Sequence, residues 1–270
     1  MAKWRPDWRL LMETAPHLEV EAKGGFVYLI ADSHLGDARS PVEDFLPMLE
    51  RLDDAALVVF MGDLFKVWLA LPKFWDDQTR ALLAGFERLR AGGAPIWFVV
   101  GNREYFLPED PGTAARRGLP FDRIVHQAAV MEWAGRRYGL THGDLVNRED
   151  SQYLKWRRLS RSWPMEAAFR ALPGPLARRI AAGLERSLAN TNQQIKIAYP
   201  LHELQAFAAE AMEGLDGYFI GHFHRDEEIR PPWSVEEDGG PVLRIVPDWF
   251  GTRKVLRLDR EGGAEVLAFS

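Results

Sequence analysis

The 270-residue chain contains no cysteine. Disulfides and thiolate metal sites are thereby excluded, and any transition-metal site must be built from His, Asp, Glu and Asn. No apolar run is long enough to span a bilayer, and the first residues, MAKWRPDWRLLMET, are broken by charges where a signal peptide would carry its apolar core. A cytoplasmic protein is the expectation. There is no repeat and no low-complexity segment. Positive charge is not in surplus either. With 34 Lys and Arg against 39 Asp and Glu the net charge is −5, which argues against a general nucleic-acid binder.

What is present is an ordinary globular composition, 47% hydrophobic and 27% charged, in a length that fits one large domain or two small ones. The charge is uneven. Between Lys155 and Arg186 stand eight basic residues (Lys155, Arg157, Arg158, Arg161, Arg170, Arg178, Arg179, Arg186) against two acidic ones, Glu166 and Glu185.

Apolar runs at 26–31, 56–61, 94–100 and 216–220 read as buried strands, and 130–144 as a hairpin. Helical spacing marks 41–52, 76–91 and 202–213, with a helical region over 151–199. Residues 1–24 read as a helical or irregular lead-in and 105–127 as irregular. The two last segments, VLRIVPDWF and 252–269, read as antiparallel ribbons around Gly262-Gly263. Alternating strands and helices followed by hairpins predict a layered α/β sandwich, whose ligand site would lie beyond the carboxyl ends of the strands.

The polar signatures fall at those ends. FVYLIADSHLG delivers Asp32 and His34; the later runs deliver Asp63, Asn102, His142, and His222 with His224. Each has a plain alternative: Asp32 could serve a turn, Asp63 a helix cap, Asn102 a turn, and His142 could be a satisfied core histidine. As a set of histidines and oxygen ligands they point to a metal site. His17, His126 and His202 fall outside any pattern.

In order, Asp-x-His, Gly-Asp, Gly-Asn-Arg-Glu, His-Gly-Asp and Gly-His-x-His resemble the calcineurin-like metallophosphoesterases over residues 26–250. The resemblance implies a single domain, 1–270, with a four-layer α/β/β/α sandwich and a helical lid inserted at 151–199. It implies one metal on Asp32, His34, Asp63 and His224 and a second on Asp63, Asn102, His142 and His222, with Asp63 bridging. Imidazole with carboxylate and amide oxygen suits Mn, Fe or Zn, and Mn is the expected ion. Asp144 and Glu104 are expected to orient a ligating histidine.

Within the superfamily, Arg103 in GNR, with Asp150, Tyr153 and Arg157 after HGD, resembles the branch of UDP-2,3-diacylglucosamine hydrolases in lipid A synthesis. That likeness implies hydrolysis of a lipid-linked sugar nucleotide to UMP and 2,3-diacylglucosamine 1-phosphate (lipid X), on the cytoplasmic face of the inner membrane as a peripheral protein. Asn102, Arg103 and His222 would stabilise charge on the phosphate. Asn102, Arg103, Asp150, Tyr153, Arg157, Asn190 and His222 would contact substrate. The basic segment would be a lid with an apolar inner face for acyl chains and a basic outer face for anionic headgroups. The chain departs from the branch at Gln193, where Lys is usual (Lys196 is one turn on), at Arg186 beside Ser187, and at Lys66. Three rivals remain open: another phosphodiesterase or phosphatase of the superfamily, a non-catalytic scaffold, and a nuclease.

Overall fold

The computed structural model describes residues 6–22, 24–173, 180, 183, 199–234 and 240–269. Among these the strands are β1 (His17–Glu19), β2 (Phe26–Ile30), β3 (Ala55–Phe60), β4 (Trp68–Leu69), β5 (Ile96–Val99), β6 (Glu104–Tyr105) and β7 (Arg123–Val125). They continue as β8 (Ala128–Trp133), β9 (Arg136–Thr141), β10 (Gly217–Ile220), β11 (Glu227–Ile229), β12 (Val242–Ile245), β13 (Lys254–Leu258) and β14 (Ala264–Ala268). The helices are α1 (Trp8–Glu13), α2 (Val42–Leu49), α3 (Asp77–Ala91), α4 (Pro111–Arg116), α5 (Ser151–Ser160), α6 (Trp163–Ala171), α7 (Leu201–Ala211) and α8 (Trp249–Thr252).

Two six-stranded mixed sheets form the molecule's middle. One has the order β1-β8-β9-β10-β12-β11 and the other β14-β13-β2-β3-β5-β7. β2, β3, β5 and β7 run parallel, as do β9, β10 and β12. The unbroken apolar character of β2, β3 and β5 follows from burial on both faces. One face packs Val27, Leu29, Leu57 and Val59 against Met131, Leu140 and Phe219 of the other sheet. The opposite face packs Tyr28, Val58 and Phe98 under Phe45 of α2 and Leu82 and Phe86 of α3. On the far side, Leu204 and Phe207 of α7 with Trp8 of α1 cover Val130, Tyr218 and Leu243. The layering is therefore α/β/β/α, as expected.

Three segments differ from the sequence reading. The lead-in contributes β1, which pairs in parallel with β8. Residues 105–127 hold α4, capped where Asp110 accepts from the Thr113 amide at 2.7 Å, and then β7 beside β5. VLRIVPDWF is not part of a ribbon with 252–269: its strand β12 lies parallel to β10 in the other sheet, and only β13 and β14 form the expected hairpin. Three- and four-residue strands carry too little periodicity to separate from loop by pattern alone.

Candidate metal centre

β2, β3 and β5 are neighbours in one sheet and β9 and β10 in the other, so five carboxyl ends meet along a single seam. The exits of β2 and β3 stay joined beyond the strands: Asp32 N donates to Gly62 O at 3.1 Å and His34 N to Asp63 O at 2.9 Å. The exit of β12 crosses to the same seam, where Trp249 N donates to Ala31 O at 2.9 Å. That crossing locks one sheet to the other beside the candidate ligands.

Two groups of side chains converge there. Asp32, His34 and His224 form one, and Asp63, His142 and His222 the other, each with its ligand atoms within 4.8 Å of one another. In the first, His34 Nε2 faces His224 Nε2 at 3.3 Å, and His224 Nε2 lies 3.6 Å from Asp32 Oδ1. Asp32 Oδ2 is used, accepting from His222 N at 2.7 Å, but Oδ1 is buried with no partner. In the second, His142 Nε2 lies 3.3 Å from His222 Nδ1, 3.5 Å from Asp63 Oδ1 and 3.1 Å from Asn102 Oδ1.

Two of the four histidines are held neutral, whereas nearby carboxylates raise His142 and His224 against the pull of burial. Burial pushes His34 down to about 3 and, with the neighbouring His142, His222 down to about 4, so both rings are neutral at pH 7 and carry a free lone pair. His142 Nδ1 is 2.7 Å from Met61 O, the contact of a ring N–H donating to a carbonyl, which turns Nε2 into the centre. Burial would raise Asp63, yet His142, His34 and Arg103 outweigh it and hold the carboxyl below its usual range. Asp32, with less compensation, is raised by burial to about 6. Ring nitrogens gathered around an orphaned carboxylate oxygen make a place that a cation would satisfy, and the N/O donor set fits divalent ions.

The structure brings Asp32, His34, Asp63, Asn102, His142, His222 and His224 into one place, and Arg103 with them. Arg103 is buried; its amide donates to Asp63 Oδ1 at 2.9 Å, and its Nε lies 3.7 Å from Asp63 Oδ2. Around the rim, Tyr153 OH and Arg157 Nε (2.7 Å) both donate to Asp144 Oδ2. Asp150 caps α5, accepting from Tyr153 N at 2.8 Å. Asn190 lies outside the described residues, as do Arg186, Ser187, Gln193 and Lys196.

Two expected orienting groups do other work. Asp144 holds Tyr153 and Arg157, and that guanidinium keeps it ionised against the pull of burial. Glu104 accepts from the amides of Gly101 (2.8 Å), Leu64 (2.9 Å) and Asp63 (3.1 Å), pinning the β3 and β5 exits together. The groups that face the histidines are Met61 O on His142 and Asp248, 3.6 Å from His224 Nδ1. No local pattern marks Met61, since its carbonyl is common to every residue. Asp248, which with Trp249 after a late strand also fits the resemblance to the hydrolase branch, stands at the exit of β12.

The calcineurin-like phosphoesterase family model matches residues 27–226. The chain belongs to this family. A UDP-2,3-diacylglucosamine hydrolase of Stenotrophomonas maltophilia (strain K279a) is 32% identical over 250 residues, covering 86% of this chain and 94% of that protein. One from Xanthomonas oryzae pv. oryzae (strain PXO99A) is 29% identical over 252 residues, 86% of this chain and 95% of its own length. Among solved structures, vacuolar protein sorting 29 from Cryptosporidium parvum covers 90% of this chain and 96% of its own at 13% identity and a TM-score of 0.40. As a calcineurin-like phosphoesterase with two ligand clusters, the protein is a metal-dependent hydrolase that uses divalent ions.

Proposed function

We propose that the protein hydrolyses the pyrophosphate of UDP-2,3-diacylglucosamine to UMP and 2,3-diacylglucosamine 1-phosphate. The reading rests on the paired three-ligand groups at one seam together with relatives of that name matched along 86% of the chain. Two divalent ions, Mn in preference to Fe or Zn, would supply Lewis acidity and an activated water at neutral pH when bound. Asp32, His34, Asp63 and His224 would hold one, and Asp63, Asn102, His142 and His222 the other. Asn102, Arg103 and His222 steady the phosphate as water oxygen bonds to the uridine-side phosphorus. The water gives up a proton to solvent, the bond to the bridging oxygen breaks, and its electron pair leaves with the sugar phosphate, a good leaving group that needs no strong acid. Tyr153, Arg157 and Asp150 form the rim on the substrate side, with Asn190 from the lid. The chain acts as one domain, with 151–199 as its insertion.

The same reading includes peripheral attachment to the cytoplasmic face of the inner membrane. No helix among the described residues is long and apolar enough to cross a bilayer. Trp156, Leu159 and Trp163 are exposed, Trp163 by 79%, among Lys155 and Arg158, a surface suited to an anionic interface.

The test is incubation of manganese-loaded protein with UDP-2,3-diacylglucosamine and mass analysis of the products. UMP and the acylated sugar phosphate in equal amounts are expected. Hydrolysis of a simple phosphodiester without turnover of the lipid nucleotide would overturn the substrate and leave another phosphoesterase activity in its place.

A further inference from the structure

A cavity of about 500 Å³ opens beside α5, within the ~300–1,000 Å³ range of small-ligand sites. Arg157, Arg158 and Arg161 of α5 and the turn after it line one side with Leu154. Glu109 and the His126–Gln127 link between β7 and β8 line the other. It abuts the metal centre through shared side chains. Arg161 donates to Gly101 O, next to Asn102, and Arg157 reaches from Asp144 to His126 O at 3.1 Å. Two buried polar atoms on its walls, His126 Nε2 and Arg161 Nε, have no partner.

We propose that this cavity is the subsite for the nucleoside half of the substrate. The inference rests on the hydrolase reading above and says where one half of that substrate lies. With Arg157 paired to Asp144 and Arg161 bonded to Gly101 O, Arg158 adds the positive charge that favours a phosphate-bearing guest, and guanidinium planes stack on bases. The Gln127 amide offers a donor beside an acceptor, the complement of a pyrimidine imide edge. The Glu109 carboxylate can accept from ribose hydroxyls. At the wall lined by Arg158, hydrocarbon would strip water from charge with nothing in return. His126, which no sequence pattern marked, becomes a base-edge partner.

The test is calorimetry on the full, manganese-loaded chain with UMP and with glucosamine 1-phosphate, comparing the unaltered protein with Arg158→Glu and Gln127→Glu. Both ligands bring a phosphate; only UMP brings a nucleoside. Each variant is expected to raise the UMP dissociation constant at least about tenfold and to leave that of glucosamine 1-phosphate within about twofold, with an unchanged melting temperature. Unchanged UMP binding in both variants overturns the inference. So does equal weakening of the two ligands, which is a general charge effect, and so does failure of UMP to bind the unaltered protein. Turnover of UDP-2,3-diacylglucosamine judges the function separately. If the unaltered protein turns it over while both variants bind UMP normally, only the cavity assignment falls.

Discussion

Asp32, His34, Asp63, His222 and His224 all have positive φ, between +43° and +72°, a region that costs a non-glycine residue about 1–3 kcal/mol. Hydrogen bonds between the strand exits hold these residues: His34 N donates to Asp63 O and His222 N to Asp32 Oδ2. Gly62 shows how tight the arrangement is. Its φ is +91°, and a Cβ on it would lie 2.6 Å from His142 Nδ1 and 2.7 Å from Gly101 Cα. Gly62→Ala should destabilise the fold by about 3 kcal/mol in urea titration and displace His142, so metal binding weakens with it. Asp32 predicts a pH dependence. Raised to about 6 by burial in the metal-free chain, it binds a proton that a cation must displace, so affinity is full above that value and falls as pH drops through it. Manganese affinity measured by calorimetry should be about tenfold lower at pH 5 than at pH 7; equal affinities would show that no proton on Asp32 competes with the ion.

At the scale of elements, α5 and the start of α6 do not follow the apolar-in, basic-out pattern expected of the lid, whereas the end of α6 does. In the described part Arg157 and Arg161 turn inward to Asp144 and Gly101, while Leu159 and Trp163 face out. α6 is docked: Phe169 sits among Leu69, Leu71, Tyr105 and Phe106, and Lys73 Nζ donates to the carbonyls of Arg170 and Leu172, both at 2.8 Å. Arg117 adds an ion pair to Glu166 at 2.9 Å. Phe169→Ala should release this helix before the sandwich unfolds. Trypsin cleavage after Arg170 should accelerate at least about tenfold while the global urea midpoint moves little. An unaltered cleavage rate would show that the apolar cluster does not secure α6.

At the scale of the molecule, the candidate ligands come from both sheets, so bound ions act as a clasp across the sandwich. A ligand present at 100 times its dissociation constant adds about 2.7 kcal/mol. Chelation should then lower the melting temperature by roughly 5–10 °C. Asp63→Ala, which removes the carboxylate proposed to be shared, should lose both ions and most hydrolysis, and its melting temperature should no longer respond to chelator. A variant that keeps normal manganese-dependent turnover would rule out the shared-carboxylate arrangement.

The candidate site was legible because its logic is local: apolar runs long enough to read as buried strands end at Asp32, Asp63, Asn102, His142 and His222, and each end carries its own polar signature. The sandwich followed from the order of those runs. Short elements such as β1, β7 and α4 were not legible, since three to six residues hold no decisive period and are secured by tertiary pairing. The partners of Asp144 and Glu104, the inward turn of Arg157 and Arg161, and the cavity at His126 were also invisible. They depend on which residues distant in the chain become neighbours, and only packing of the two sheets sets that. Asp32 and His34 were determined by sequence as two acceptors at a strand end; that they face His224 across a seam, leaving one carboxylate oxygen unpaired, was decided by the tertiary structure.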